Sequence, residues 1–541
     1  MWIPHSDPAK ASAGVIAGLD GGPASNLESE QSFQQALGAI LADHDLLLVE
    51  RRGFGAAAPW RCDDIDVHRP GTISDCANRI GPRVRYFTID QRIADLDAVR
   101  AALGVGKLSV YGTSYGAFEA QAYVTRYPDH VAAAVLDSVA AADRRGYLMG
   151  LTTYDKMRAE LRLLSVTCRE SHSCATLPGS ENGRLTELVE LLRADPDPEV
   201  SLATLDILVS RPAEPTVGRE LNAAVGAYLA RDPAPLRRLA ATIDTQGGDP
   251  NTIYRELTAF LAYACNDFAF PYDRDAVAEV RARQLQEFRR THPQPPFTIG
   301  EATGGDGGVD DHCLPWPTPR DAPPIAQTYP DVPVLTIGGG LDLDMSRNAV
   351  EVAAKFPRGV AIVVPFGNHS GSVYPSGPYG ECLRGEVRAF FADPGRSPTS
   401  GCTAENYRAL GRFPISAADL PRTPIPGLAV AFATAVDALS RRNPNTRYLA
   451  DLKRQSGLRG GSVGFDDDGH RIVLDDVRYV RDVAVSGQIR LPGQDGTATA
   501  ELTLSTGQRI TMTWSAFRAC DQVAVTGTID GEPFTADLPT T

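Results

Sequence analysis

The stretch "KLSVYGTSYGAFEA", residues 107–120, decides the fold of this chain. It opens with the strand pattern "KLSVYG", turns sharply at Ser114 and continues as the helix pattern "AFEAQAYVTRYP". Gly112 and Gly116 flank the serine in the pattern G-x-S-x-G, whose small residues let a strand and a helix approach closely. Because both flanking elements are present, the pattern predicts an exposed nucleophile at Ser114.

Strand and helix patterns alternate around this stretch. Three short apolar runs are typical of buried parallel strands: "GVIAGLD" (14–20), "LLLVE" (46–50) and "HVAAAVLDSV" (130–139). Thr88 is placed to cap a helix that ends before Gly104. Strand patterns return at "VPVLTIGGG" (332–340) and "GVAIVVP" (359–365). This order predicts an α/β fold with a mostly parallel sheet that resumes after an insertion.

Composition changes twice along the chain, which suggests domain boundaries. Amphipathic helical segments and Pro/Gly-rich loops dominate from about 145 to 325, and after "PRTPIPG" (421–427) one helix precedes an all-β pattern. In that pattern "TATAELTL" (497–504) alternates strictly, and Asp530-Gly531 marks a hairpin turn. We predict four segments: 1–144 and 326–424 for the α/β core, 145–325 for a helical cap, and 425–541 for a linker helix with a β-rich domain.

Length and charge limit the classes of function. The chain has 541 residues and a net charge of −14 with dispersed Lys and Arg, which argues against nucleic acid or an anionic membrane as the main partner. No apolar run approaches a membrane span of ~18 residues, and the first twenty residues lack a signal-peptide pattern. Cysteine and histidine spacings do not suggest a metal site, and "FDDDGH" (465–470) is better explained as a turn. We expect neither a metal nor a cofactor.

A serine nucleophile needs a base and a group that orients the base, and in this fold they follow in the order Ser, Asp or Glu, His. His369 follows the last predicted strand, in "VVPFGNHSGS". Asp342 follows the preceding strand in "TIGGGLDLDMS". Asp342 and His369 are therefore predicted to lie at the same edge of the sheet as Ser114. Asp344 is the alternative acid, and we favour Asp342 because it comes first after the strand-ending glycines.

The oxyanion that forms when serine attacks a carbonyl needs two N–H donors. One is predicted to be the backbone N–H of Tyr115, directly after the nucleophile. The other should come from a loop after an earlier strand, and "GLDGGPASN" (18–26) offers the N–H of Gly22.

The nine cysteines leave two explanations open, reduced thiols in a core or disulfides formed in an oxidising compartment. In sequence order they form four neighbouring pairs with Cys520 left over.

Taken together, these motifs resemble the secreted bacterial tripeptidyl aminopeptidase and prolyl aminopeptidase family of α/β-hydrolase serine peptidases. The resemblance spans about residues 14–405 and is carried by "DGGPA" (20–24), "LLVERRGFG" (47–55), "ADLDAVRAALG" (94–104), the elbow region 110–139, "ACND" (264–267), "PVLTIGGGLD" (333–342), "GNHSG" (367–371) and "ECLRGEVRAFFADPGRSPTSGC" (381–402). The chain differs from the family's usual H/N-G-G-P-G by Asp20 and Ala24, and the β-rich region beyond about 455 has no counterpart there.

The resemblance implies a triad of Ser114, Asp342 and His369 and a cap that restricts entry to chain ends. It also implies secretion and four disulfides, Cys62–Cys76, Cys168–Cys174, Cys265–Cys313 and Cys382–Cys402. An acidic cap residue could hold the free amino terminus of a substrate, and Glu256 and Asp267 are candidates.

The sequence therefore predicts an exported serine exopeptidase with a peptide substrate. One alternative is an esterase or other acyl hydrolase on the same triad, with a small ester as the substrate, because the fold hosts many substrates. A second is a non-catalytic binding protein whose β region does the work. The oligomeric state is left open.

Overall fold

The computed structural model describes most of the chain. The described residues are 1–7, 9–55, 61–139, 153–177, 179, 181–210, 214–243, 256–293, 296–302, 308–317, 329–342, 345–374, 377–398, 401–402, 409–423, 425–441, 453–466, 470–491, 496–516 and 522–539. Asp344, Cys520 and part of the "FDDDGH" turn lie outside them, so the expectations for these positions stay as they were.

The strands and helices are numbered in chain order. The strands are β1 (Trp2–Ile3), β2 (Gly14–Leu19), β3 (His44–Leu48), β4 (Leu108–Thr113), β5 (Val131–Asp137), β6 (Pro333–Gly339), β7 (Arg358–Val364), β8 (Arg454–Ser456), β9 (Ser462–Phe465), β10 (Arg471–Val477), β11 (Val485–Arg490), β12 (Thr497–Leu504), β13 (Arg509–Ser515), β14 (Gln522–Ile529) and β15 (Glu532–Pro539). The α-helices are α1 (Glu30–Leu37), α2 (Pro70–Ile80), α3 (Ile89–Ala102), α4 (Tyr115–Arg126), α5 (Thr153–Arg169), α6 (His172–Ala175), α7 (Glu181–Ala194), α8 (Leu202–Val209), α9 (Pro215–Leu229), α10 (Ala234–Ala240), α11 (Leu257–Asp267), α12 (Ala278–Thr291), α13 (Ile299–Ala302), α14 (Val309–His312), α15 (Met345–Ala353), α16 (Gly377–Ala392) and α17 (Leu428–Ser440).

The chain folds as two compact units whose segments alternate along the sequence. The first unit comprises Met1–Met157, Pro250–Pro293 and Thr303–Ala404, and the second comprises Arg158–Asp249, Gln294–Ala302 and Glu405–Thr541. This division differs from the predicted segments, because the insertion is shared between the units. Helix α11 explains part of the difference: all of its residues are buried, and it packs into the core of the first unit.

Seven strands form the sheet of the first unit, in the order β1-β3-β2-β4-β5-β6-β7. β1 runs antiparallel to β3, and every other neighbouring pair is parallel. The predicted mostly parallel sheet is confirmed. Because parallel strands end at one edge, the loops after β2, β4, β5, β6 and β7 all start from the same side of the sheet.

Both faces of this sheet are covered, which explains why its strands are apolar at successive positions. In β2, Val15, Ala17 and Leu19 pack in a cluster with residues of α2, α3, α4 and α11. Ile16 points to the opposite face and joins a cluster with residues of α1 and α16. The Thr88 hydroxyl accepts a hydrogen bond from the Gln91 N–H and caps α3, as predicted.

The sheet of the second unit is antiparallel throughout, with eight strands in the order β15-β14-β13-β12-β11-β10-β9-β8. Alternate residues of β12 and β13 are buried, among them Leu502 opposite Ile510, and Trp514 packs edge-on against Phe432 of α17. The hairpin between β14 and β15 turns at Asp530-Gly531, where both residues have positive φ angles. The predicted all-β region is therefore confirmed.

Buried charges join the two halves of the second unit. Arg238 of α10 donates to both carboxylate oxygens of Asp437 in α17, at 2.7 and 2.9 Å. Glu220 of α9 accepts from Arg238 and from Arg441, which follows α17. Since a buried charge is costly unless it is paired, these contacts hold the C-terminal helix against the helices of the insertion.

The described part of the chain contains four disulfides, which join Cys62 to Cys76, Cys168 to Cys174, Cys265 to Cys313 and Cys382 to Cys402. They are the pairs that the family resemblance implies. Among the helices that the structure describes, none combines the length and the apolar character needed to cross a membrane.

Candidate active site

Ser114 lies at the turn between β4 and α4, with φ 54° and ψ −124°. This positive φ is uncommon for a residue with a side chain, and the surrounding packing must maintain it. The glycines on both sides make the turn possible. A Cβ on Gly112 would lie 2.2 Å from the carbonyl oxygen of Gly116, and a Cβ on Gly116 would lie 2.0 Å from that of Leu19.

His369 and Asp342 complete a chain of hydrogen bonds with Ser114. His369 Nε2 is 2.7 Å from Ser114 Oγ, and its Nδ1 is 2.7 Å from Asp342 Oδ1. The Asp342 side chain is 1 % exposed, whereas the His369 side chain is 47 % exposed, so the imidazole faces solvent from a buried anchor. With Nδ1–H donating to the carboxylate, Nε2 is free to accept the proton of the serine.

The carboxylates around His369 raise its pKa. Desolvation lowers the pKa of His369, but the charge and hydrogen bond of Asp342 outweigh it, and the charges of Asp137 and Asp20 add to them. The pKa of His369 therefore lies above its ordinary value, which stabilises the imidazolium that forms when the serine proton is taken.

The loop after β2 approaches the serine closely. A Cβ on Gly21 would lie 2.9 Å from the Cβ of Ser114 and 3.3 Å from its Oγ. Gly22 has a φ of 111°, which favours glycine. Tyr115 is the first residue of α4, so its N–H has no acceptor within the helix. The N–H groups of Gly22 and Tyr115 thus belong to segments next to Ser114, and their role as oxyanion donors stays a prediction.

The side chain of Tyr115 fixes the position of its backbone. Its hydroxyl donates to Asp267 Oδ2 at 2.5 Å, and its ring packs edge-on against Tyr263. Asp267 is 5 % exposed and also accepts from the Ile89 N–H at 3.1 Å. Burial raises the pKa of Asp267 to about 7, although both hydrogen bonds oppose the shift.

The two predicted substrate-binding acids are therefore placed differently. Asp267 uses its carboxylate inside the protein, behind Tyr115, which favours a positioning role over contact with substrate. Glu256 precedes α11, is half-buried and accepts a hydrogen bond from the Gly55 N–H at 3.3 Å. Of the two, Glu256 has the more accessible carboxylate.

A buried ion pair that the sequence analysis missed joins helix α4 to the loop after β2. Arg51 donates to both carboxylate oxygens of Glu119 in α4, at 2.7 and 3.0 Å, and both residues are fully buried. Its guanidinium also donates to the carbonyl oxygens of Ala24 and Asp20 and lies 5.6 Å from the ring centre of Tyr115. "ERRGFG" (50–55) could have suggested a role for Arg51, but nothing local pointed to Glu119.

Two further carboxylates near the site were also missed. Asp20 is buried and accepts from the Gly21 N–H at 2.7 Å and from the hydroxyls of Ser29 and Tyr374. Asp137 is the last residue of β5, at the same sheet edge. Its position at the end of the apolar run "AVLDSV" could have indicated this placement. Among the described residues, no group of three or more His, Cys, Asp or Glu side chains is arranged to hold a metal ion.

This chain has the α/β-hydrolase fold, with the hydrogen-bonded residues Ser114, His369 and Asp342 at the carboxyl edge of its sheet. Residues 19–161 match the family model described as alpha/beta hydrolase fold. The chain is similar to a tripeptidyl aminopeptidase from Streptomyces lividans, at 32 % identity over 123 residues that cover 19 % of this chain and 23 % of the relative. It is also similar to the serine protease Hip1 from Mycobacterium bovis, at 27 % identity over 300 residues that cover 49 % and 52 %.

The chain thus spans between a quarter and about half of the length of these relatives. A proline iminopeptidase structure from Mycobacterium smegmatis aligns over 73 % of this chain and 94 % of its own, at 14 % identity and a TM-score of 0.30.

Proposed function

We propose that this chain is a serine peptidase that releases amino acids or short peptides from the amino termini of peptides. The observation that carries the proposal is the continuous hydrogen-bond chain from Asp342 through His369 to Ser114. His369 lies within reach of the proton it would remove, and Asp342 holds the ring in the tautomer that can remove it.

The geometry supports a two-step acyl transfer. His369 takes the proton of Ser114 as Oγ bonds to the substrate carbonyl carbon, and the resulting oxyanion is held by the N–H groups of Tyr115 and Gly22. His369 then gives this proton to the leaving amine as the C–N bond breaks, which leaves an acyl group on Ser114. Water, deprotonated by His369, releases the acyl group and restores the serine.

A peptide substrate is supported by the similarity to a tripeptidyl aminopeptidase and to a serine protease. Recognition of a free amino terminus requires a carboxylate near the entrance to the site. Glu256 is our candidate for this contact because its side chain is partly exposed, whereas Asp267 would first have to release Tyr115 and the Ile89 amide.

Fluorogenic substrates test the proposal. We expect release of the fluorescent amine from tripeptidyl or aminoacyl amides with a free amino terminus, and little or none from their N-acetyl counterparts. Ser114→Ala should lose this activity and should also lose labelling by a fluorophosphonate probe, which reacts with activated serines.

Two other results would decide for the alternatives. Rapid hydrolysis of simple esters without amine release from any peptide would show an esterase. Failure of the folded wild-type chain to react with the fluorophosphonate would favour a binding protein without catalysis.

We also propose that the protein works outside the cytoplasm, in the cell envelope or beyond it. Four disulfides support this because reducing compartments keep such thiols free. Non-reducing mass spectrometry of the protein from its native compartment should find the four pairs intact. Recovery of the folded protein from the cytoplasm with all four pairs reduced would contradict the proposal.

A further inference from the structure

The loop that carries His369 is tied to the sheet at every second residue. We define the histidine loop as residues 369–374. The Ser370 N–H donates to the Ser138 hydroxyl at 2.8 Å, and the Tyr374 hydroxyl donates to Asp20. Between them Ser372 binds Asp137. The loop is therefore held by the ends of β2 and β5, two strands that supply neither the nucleophile nor the triad acid.

The contact between Asp137 and Ser372 is the most extensive of these. Asp137 Oδ2 accepts both the N–H of Ser372, at 2.8 Å, and its hydroxyl, at 2.5 Å. The Ser372 hydroxyl also pairs with the Tyr111 hydroxyl at 2.7 Å. Asp137 is 1 % exposed and Ser372 is completely buried, so water does not compete for these hydrogen bonds.

Asp137 also holds the nucleophile. Its backbone carbonyl accepts a hydrogen bond from the N–H of Ser114 at 2.9 Å, directly after β4 ends. One residue thus contacts both sides of the reacting pair: its main chain holds Ser114, and its side chain holds the loop of His369. A shift of Asp137 would change the distance between the base and the hydroxyl.

Carboxylates surround His369 on several sides. Its own hydrogen-bond partner Asp342 comes from the loop after β6, Asp137 from the end of β5, and Asp20 from the loop after β2. The hydroxyl groups nearby are those of Ser114, Tyr374 on the histidine loop and Tyr379 of α16, which faces the Asn368 backbone. Burial raises the pKa of Asp137 above its ordinary value, and the two hydrogen bonds from Ser372 oppose this shift without cancelling it.

We propose that Asp137 is a positioning residue for catalysis: it holds the histidine loop against the nucleophile elbow, and its buried charge stabilises the protonated form of His369. The inference rests on the proposed serine-hydrolase mechanism. Asp137 reaches the reaction through Ser372 and through the Ser114 backbone, whereas Asp342 touches the imidazole itself.

Three variants separate the effect of the Asp137 charge from the effect of its hydrogen bonds with Ser372. Asp137→Asn removes the charge while its amide oxygen can still accept from Ser372. Ser372→Ala keeps the charge but removes the hydroxyl, and Asp137→Ala removes both. Asp45→Asn is the matched control, since Asp45 is buried like Asp137 but lies at the opposite edge of the sheet, where it binds His5.

The measurement is the rate of fluorophosphonate labelling of Ser114 as a function of pH, together with the thermal midpoint of each variant. Wild-type labelling should rise with pH as His369 loses its proton. Loss of a nearby negative charge destabilises imidazolium, so Asp137→Asn should move the midpoint of this rise to lower pH, by about half a unit. Asp137→Ala and Ser372→Ala should lower the plateau about tenfold, because small misplacements of a base are costly. Ser372→Ala should leave the midpoint in place, and Asp45→Asn should match the wild type in both.

The outcomes are distinct from those of the proposed function. If the wild-type chain is not labelled, the serine-hydrolase mechanism fails. If the wild type is labelled but the Asp137→Asn midpoint is unshifted, the charge of Asp137 does not stabilise protonated His369. If a folded Asp137→Ala is labelled as fast as the wild type, Asp137 does not position the base. If Asp137→Ala does not fold, Ser372→Ala tests whether the contact between Asp137 and Ser372 positions the histidine loop. Labelling of Ser372→Ala at the wild-type rate would overturn that role.

Discussion

The two edges of the parallel sheet carry almost the same histidine–aspartate pair. At the carboxyl edge, His369 Nδ1 lies 2.7 Å from Asp342. At the amino edge, His5 Nδ1 lies 2.8 Å from Asp45, near the start of β3. Both aspartates are buried, and in both pairs the carboxylate fixes one nitrogen of the ring.

The difference lies at the other ring nitrogen. His5 Nε2 faces the carbonyl oxygen of Lys10 at 3.0 Å, and a carbonyl can only accept a hydrogen bond. Both contacts are hydrogen bonds only when both nitrogens of His5 carry a proton, and the pKa of His5 is raised by its hydrogen bonds to Asp45 and Lys10. His369 Nε2 instead faces a hydroxyl that can donate. The Ser114 hydroxyl at Nε2, and not the histidine–aspartate pair, makes His369 suited to act as a general base.

The largest expected difference between the two edges appears when the charge of each aspartate is removed in turn. Asp342→Asn should lower kcat about 10⁴-fold, because His369 loses the acceptor that fixes its tautomer. Asp45→Asn should leave kcat within about twofold, since the His5–Asp45 pair lies at the opposite edge of the sheet from Ser114. Steady-state hydrolysis of the same peptide amide measures both. Equal losses in the two variants would show that the edges are not functionally different.

A third buried carboxyl, Asp267, has no histidine partner, and its titration should affect stability. Its pKa of about 7 lies above the unfolded value, so the folded state binds the proton more tightly. Stability from this group is therefore present below about pH 4 and falls as the pH rises to about 7, by up to about 4 kcal/mol. Urea unfolding at pH 5 and pH 8 should show this slope in the wild type and a smaller slope in Asp267→Asn.

Glycine substitutions compare the packing at the two edges. Gly116→Ala would place its Cβ 2.0 Å from a backbone oxygen of Leu19 and should cost about 3 kcal/mol or more of stability. Gly14→Ala would meet only the ring of His44 at 3.5 Å, an ordinary contact, and should change stability by less than about 1 kcal/mol. Thermal unfolding of both variants is the measurement, and a tolerated Gly116→Ala would contradict the close approach at the elbow.

The smallest effect is expected from His5. Because its folded pKa is raised, its contribution to stability is complete below about pH 6.5 and is lost as the pH rises through the folded value. His5→Gln should remove this pH dependence of the thermal midpoint and leave peptide hydrolysis unchanged. A drop in hydrolysis with the midpoint unaffected would link the amino edge to the site.

Local patterns explain how much of the molecule could be predicted. The strands around Ser114 are buried on both faces and so read as short apolar runs, and the strict alternation in 497–504 matches β12 residue for residue. The same logic placed Ser114, Asp342 and His369 at one edge, and the structure brings them into hydrogen-bond contact. Their catalytic roles remain predictions until tested.

The remaining features depend on contacts between distant residues. Asp137 and Ser372 are 235 positions apart, and Tyr115 and Asp267 are 152 apart, so no pattern in either segment marks the pair. The division of the insertion between two units has the same origin. Helix α11 is mostly apolar, but nothing in its sequence shows that its residues enter the core of the first unit.

The distance along the chain between Ser114 and His369 also has a consequence for synthesis. The two residues are 255 positions apart, so the ribosome completes the elbow long before it adds the histidine loop. At ~5–20 residues per second, the serine exists without its base for roughly 13 to 51 s. A chain in the course of translation therefore carries Ser114 without His369, and the proposed hydrolysis can start only after the last strand of the sheet has been added.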